Sequence, residues 1–234
     1  LGTNPLSLKT APLSAVARPN TPKKKHRSGI GGYSAEVPDL EIIEEGLIAV
    51  AQSCADALAK SLLHYQGEPP WKIGAMPACE AQADALEAQA RSLLTNSQLS
   101  MRDIDWVASE LKSICDLRTV ARCAVQVTQL CWLFREDGTS AKAIEWISRV
   151  GNASSAVTSS VANALTEGDR NQLRHAALLY RNVDTLRFDA EQFVRSDIAI
   201  STFSPAVHRM VRAGVLFMAI AGESSARVAA RSIG

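Results

Sequence analysis

Five cysteines, Cys54, Cys79, Cys115, Cys123 and Cys131, and four histidines, His26, His64, His175 and His208, are the side chains best suited to bind a metal ion or to carry nucleophilic chemistry. Their spacing serves neither purpose. No C-x-x-C pair occurs, the histidines are scattered, and the odd cysteine count does not close a disulfide framework. Set among Ala, Val, Ile and Leu, the thiols read as small core hydrophobes in a reducing, cytoplasmic setting. A Gly-rich phosphate loop, a nucleophile elbow and a His-Glu-x-x-His motif are all missing, so the sequence predicts no enzyme. Opposite charges at helical spacing, such as Glu87 with Arg91, read as surface pairs. Trp71, Trp106, Trp132 and Trp146 are too dispersed to stack bases. Trp106 and Trp132 read either as a partner surface or as partly buried helix contacts.

The elements that must position any site follow from composition. The 234 residues are 47% hydrophobic with a net charge of +1, which excludes a disordered chain, a collagen and a small disulfide scaffold. The longest uninterrupted apolar stretch, Val215 to Ala221, is far short of the ~20 residues needed to cross a bilayer, so a soluble chain is expected. There are 36 alanines against 12 aromatic residues, a bias toward helix. Apart from Pro205, every proline lies at or before Pro77, leaving Ala78 to Ser204 free for long helices. Residues 1–38 hold five of the nine prolines and a net charge of +5, and the remainder carries −4. This first segment reads as a flexible basic extension. Its Lys23-Lys24-Lys25-His26-Arg27 run is suited to nucleic acid, anionic lipid or a targeting peptide, but it is short and lacks interleaved aromatics. A solvated tail is the favoured reading, with no nucleic-acid partner and at most peripheral membrane contact.

From Asp39 onward apolar residues recur at spacings of three and four. Ile43, Leu47, Val50, Cys54, Leu58 and Leu62 predict a first helix, ended by Gly67-Glu68-Pro69-Pro70. A second runs over about Ala78–Leu94 and a third over about Arg102–Phe134. A turn through Gly138 follows, with Ser140 as the next helix cap. Ile144, Ile147, Val150, Val157, Val161 and Leu165 mark a fourth helix that stops at Gly168. Asp169 caps a fifth, and Ser204-Pro205 opens a sixth that runs toward Arg231. Ala83-Asp84-Ala85-Leu86 matches Val183-Asp184-Thr185-Leu186 100 residues later, and Ala121-Arg122 matches Gly222-Glu223 101 later. The near-constant offset argues for duplication. The expected fold is all-α, two tandem three-helix bundles over 39–137 and 138–234 with a shared interface.

The order Gln82-Ala83-Asp84-Ala85-Leu86-Glu87, then Asp116-Leu117-Arg118-Thr119-Val120-Ala121-Arg122-Cys123-Ala124, then Asn182-Val183-Asp184-Thr185-Leu186 and Ile220-Ala221-Gly222-Glu223-Ser224-Ser225-Ala226 resembles the PhoU family of phosphate-signalling proteins over roughly residues 40–233. The resemblance rests on order and spacing rather than on a single signature. It implies a non-catalytic cytoplasmic adaptor and negative regulator of phosphate uptake. Such a protein links the ATPase subunit of a phosphate ABC transporter (PstB-like) to a membrane sensor histidine kinase (PhoR-like), and a homodimer is expected. A diverged interaction protein with a different partner and no phosphate role is the alternative.

The resemblance also raises a metal question, because many PhoU proteins hold iron or zinc clusters through E(D)-x-x-x-D motifs on neighbouring helices. Acids four residues apart share a helix face and supply hard oxygen ligands. Here Glu80-x-x-x-Asp84 is intact, but the partner motif carries Arg118 and Arg122 where the two acids belong. The second half keeps one acid in each motif: Tyr180 precedes Asp184, and Ala219 precedes Glu223. Arginine stays protonated and cannot ligate a cation. Charge-assisted pairing of Glu80 and Asp84 with Arg118 and Arg122 is therefore expected in place of a cluster, the alternative being four solvated charges. Glu80, Asp84, Asp184 and Glu223 are weak candidates for iron, zinc or magnesium, and no cofactor is the favoured expectation.

Overall fold

The computed structural model describes residues 38–63, 76–95, 99–136 and 141–233. Among these residues there are seven helices and no strand: α1 (Pro38–Leu63), α2 (Met76–Leu94), α3 (Met101–Glu136), α4 (Ala141–Glu167), α5 (Arg170–Val194), α6 (Asp197–Thr202) and α7 (Pro205–Ile233). Local chemistry sets several of the ends. Pro38 and Pro205 occupy first helical positions, where the missing N–H costs no bond. Ser100 and Asp103 form a reciprocal cap on α3: the Asp103 N–H donates to Ser100 Oγ at 3.2 Å, and the Ser100 N–H donates to Asp103 Oδ2 at 3.3 Å. Gly168, at φ +70°, ends α4 in the left-handed region. Asp169 then caps α5 by accepting the Asn171 and Gln172 N–H groups at 2.8 and 3.3 Å.

Two features differ from the sequence reading. The six-residue α6 stands between the expected fifth and sixth helices, too short to leave a periodic signal. Ser196 Oγ caps it, and His208 Nε2 lies 3.0 Å from the Ala199 carbonyl, fastening it to the start of α7. A chain of rings braces the same end: Trp146 to Phe193 at 5.7 Å, Phe193 to Phe203 at 6.0 Å, and Phe203 to His208 at 5.6 Å. In addition, α1 and α7 are long and apolar enough by composition to cross a bilayer. About half of each such segment is buried against other helices, as in a core helix. The basic extension, the Gly67–Pro70 break, the Ser140 cap and the boundary between the two halves lie outside the described residues, as do Trp71 and the side chain of Trp132.

The first bundle is α1, α2 and α3, and the second is α4, α5 and α7. They join where α1 packs on α4 and α3 on α7. One apolar core runs through both halves, from Leu40, Ile43 and Leu58 through Ile114 and Leu117 to Ile147, Leu173 and Met218. The duplication is visible in burial: every residue from 41 to 54 is as buried or exposed as its counterpart 100 positions later. Thus Ile43, Leu47, Val50 and Cys54 correspond to Ala143, Ile147, Val150 and Ser154. At the join the packing is close. A Cβ on Gly151 of α4 would stand 2.3 Å from Leu62 Cδ2 of α1. Within the second bundle, the Thr158 and Ser225 hydroxyls share a hydrogen bond of 2.8 Å between α4 and α7.

Candidate functional site

The α2/α3 face gathers all four residues singled out in the first half. Arg118 Nη1 donates to Asp84 Oδ1 at 2.8 Å, and Arg122 Nε donates to Glu80 Oε1 at 2.5 Å. Acids one turn apart on α2 thus meet guanidiniums one turn apart on α3, as the spacing predicts. The Asp84 hydrogen bond is the main cause of an Arg118 pKa held above its ordinary value. Glu87 corrects the sequence reading. Instead of forming a solvated surface pair with Arg91, it is buried and touches two cations, Arg91 on its own helix and Arg118 on α3. Its Oε2 lies 2.6 Å from Arg118 Nη1 but off the hydrogen-bonding direction, so this contact is ionic and the oxygen accepts no hydrogen bond. Arg118 also brings Nη2 to 3.6 Å from Cys115 Sγ.

The α5/α7 face repeats the layout with different charges. Asp184 accepts from Arg187 at 2.7 Å, and Arg187 reaches Glu191 at 3.2 Å. Glu223 accepts from Arg227 at 2.6 Å. The pairs Glu87–Arg91 and Arg187–Glu191 occupy positions 100 apart with their signs exchanged. Tyr180 lies among Asp184, Glu223, Arg187 and Arg227; burial, then the two carboxylates, raise its phenol pKa, which keeps it a neutral hydroxyl. Ala219 is buried in α7 and offers no polar atom.

Sequence reasoning missed the ionic cluster between the halves. Arg227 Nε and Nη2 both donate to Asp116 Oδ1, at 3.0 and 2.8 Å, and Arg231 Nη2 pairs with Asp116 Oδ2. Arg231 also donates to the Lys112 carbonyl at 3.1 Å. These partners lie more than 110 residues apart, beyond the reach of any local pattern. Glu110, near the same junction, has an Oε2 buried without a hydrogen-bond partner and lines a small cavity with Glu44, Trp106, Leu165 and Ser232. Desolvation raises its pKa to about 7; the Arg231 charge opposes the shift and Glu44 adds to it.

The cysteines lie as core side chains. Cys54, Cys79, Cys123 and Cys131 are buried, Cys115 is half-buried, and all five are free thiols. Cys54 donates to the Leu117 carbonyl at 3.2 Å, and burial pushes the Cys123 thiol up to about 12. Trp106 packs partly buried against the core.

The family resemblance implies iron or zinc on these two faces, and the residues do not fit such a group. Each candidate acid, Glu80, Asp84, Asp184 and Glu223, is engaged by a guanidinium. Among the described residues, no three Asp, Glu, His or Cys side chains converge as a ligand set.

No protein-family model matches the sequence, and no curated protein matches it. By structure the chain is similar to PhoU from Pseudomonas aeruginosa, with a TM-score of 0.74 at 14% sequence identity, over 83% of this chain and 95% of that one. The fold is therefore the PhoU fold, with two three-helix bundles in tandem.

Proposed function

We propose that this protein is a non-catalytic adaptor of the PhoU type, a cytoplasmic negative regulator that couples a phosphate transporter's ATPase subunit to a sensor histidine kinase and works as a homodimer. The observation that carries the reading is the whole-length likeness: the match takes in both bundles and nearly all of the PhoU chain, not one shared helical pair. The arrangement of side chains is in keeping with it. The acids on both the α2/α3 and the α5/α7 faces are taken up by ion pairs, and the buried thiols are core groups rather than nucleophiles.

On this reading the Arg118–Asp84 and Arg122–Glu80 pairs hold α2 to α3 where the family resemblance implies a multivalent cation. Two guanidiniums set against two carboxylates neutralise the face without an ion. Metal analysis of the purified full chain is expected to find iron, zinc and magnesium well below one per chain. Stoichiometric metal lost in Glu80→Gln would sink this part of the proposal.

Affinity capture of the tagged full chain from cells grown in high and in low phosphate tests the adaptor role. Recovery of the transporter ATPase or the kinase is the expected result. Reproducible recovery of unrelated proteins alone would favour the second reading, a diverged interaction protein with no phosphate role. Arg118, Arg122, Tyr180 and Ala219, standing where the resemblance implies acidic ligands, are the observation behind that alternative.

A further inference from the structure

Between α5 and α7 lies an open groove of about 380 Å³. Ala190 and Val194 of α5 face Ala213 and Leu216 of α7 across it, and Arg209 and Arg212 rise on the α7 side. Both arginines are exposed, and neither makes a hydrogen bond or ion pair among the described residues. They differ in this from Arg118, Arg187, Arg227 and Arg231, each of which holds an acid. The one carboxylate on the opposite wall, Glu191, is turned to Arg187 and leaves the rim charge uncompensated. Large apolar side chains stand exposed on the same elements: Leu216 on α7, Phe188 on α5, and Ile198 and Ile200 on α6, which follows α5 after a two-residue turn. The groove thus joins an apolar floor to two free cations one helical turn apart.

We propose that this groove docks an acidic amphipathic helix of a partner protein. Apolar anchors of that helix enter between α5 and α7, and two of its carboxylates, spaced by three or four residues, pair with Arg209 and Arg212. Concavity favours a helix over a bilayer, which needs a convex or flat apolar surface. The carboxylate stripe of the helix supplies the charge that the rim lacks, and its anchors cover apolar area that the fold leaves wet. The inference rests on the adaptor reading and names the surface and the chemistry of one partner.

The test is selection of a displayed library of helix-forming peptides, randomised on their surface positions, against the full chain. Enrichment of peptides with a Leu, Ile or Phe stripe bordered by Asp or Glu at three- or four-residue spacing is expected. Affinity for an enriched peptide should fall about tenfold or more in Arg209→Glu/Arg212→Glu, and recover when the peptide's acids are changed to Lys. Leu216→Ala should weaken binding with the rim charge intact. Enriched peptides without acids, or binding unchanged in the double variant, would overturn the proposal. So would arginine-dependent binding to vesicles containing anionic lipid, or arginine-dependent self-association in sedimentation, with no acidic peptide selected. Capture of the transporter ATPase by the double variant as efficiently as by the natural chain would remove this surface and leave the adaptor reading standing. Failure of the natural chain to capture ATPase or kinase would remove the adaptor reading whatever the peptides do.

Discussion

Glu87 and Glu110 are both buried carboxylates, and their surroundings differ. Glu87 has Arg118 and Arg91 against it, so its charge is compensated. Replacing Arg118 by Met leaves Glu87 with only the exposed Arg91, and a loss of about 1–3 kcal/mol is expected in urea denaturation. Arg122→Met, at a pair open to water, should cost about 0.5 kcal/mol or less. Glu110 has Glu44 nearby and an orphan oxygen, and its pKa rises from 4.5 to about 7. The folded state then binds the proton more tightly than the unfolded chain, so this group's contribution to stability falls as pH rises from about 4.5 through 7. The size is about 3 kcal/mol by linkage. Glu110→Gln should flatten that slope, stabilise the protein by about 2–3 kcal/mol at pH 8 and change little at pH 4.5, as read from denaturation midpoints across pH. In the sequence the two acids look alike on amphipathic helices. Only the neighbours that three-dimensional packing supplies tell them apart, which is why Glu87 reads from sequence as a surface group.

At the scale of elements, the long helices were legible because their causes are local. Alanine content, proline placement, the Asp169 cap and the Ser204-Pro205 start each act within a few residues of where they appear. The capping hydrogen bond from the Val207 N–H to Ser204 Oγ, 3.2 Å, sits where the sequence places it. The facing pairs on α2 and α3 were legible too, since a four-residue repeat of acids and a four-residue repeat of arginines fix two matching faces. α6 was not, because its stability comes from His208 and the ring chain rather than from its own pattern. The close approach of α1 to α4 was equally invisible, because Gly151 carries no sign of which helix crosses it. Gly151→Val would force Leu62 and the backbone apart, and a loss of about 2–3 kcal/mol is expected from denaturant midpoints, with Gly151→Ala intermediate because the Leu62 tip can move.

Over the whole molecule, the duplication gives two bundles of one design, and the ionic groups make them unequal. Asp116 of the first half takes two arginines of the second, and it is the point where the join is fixed by charge as well as by apolar packing. A double-mutant cycle with Asp116→Ala and Arg227→Ala is expected to give a coupling energy of about 1 kcal/mol, since Asp116 is largely buried while Arg227 is open to water. Arg122 with Asp116→Ala, well separated partners on α3, should add independently.

The core shared by both halves has a mechanical meaning. Two domains joined by a small polar contact swing relative to each other, whereas here α1 lies on α4, α3 lies on α7, and apolar side chains fill the space between without a break. Among the described residues, this join offers no small polar contact to act as a hinge. α3 alone, 36 residues and about 54 Å of continuous rod, runs along the first bundle and braces the second. The molecule therefore behaves as a gauge block: anything seated on the α2/α3 face and anything seated on the α5/α7 face are held at one spacing and one relative angle, set by the fold.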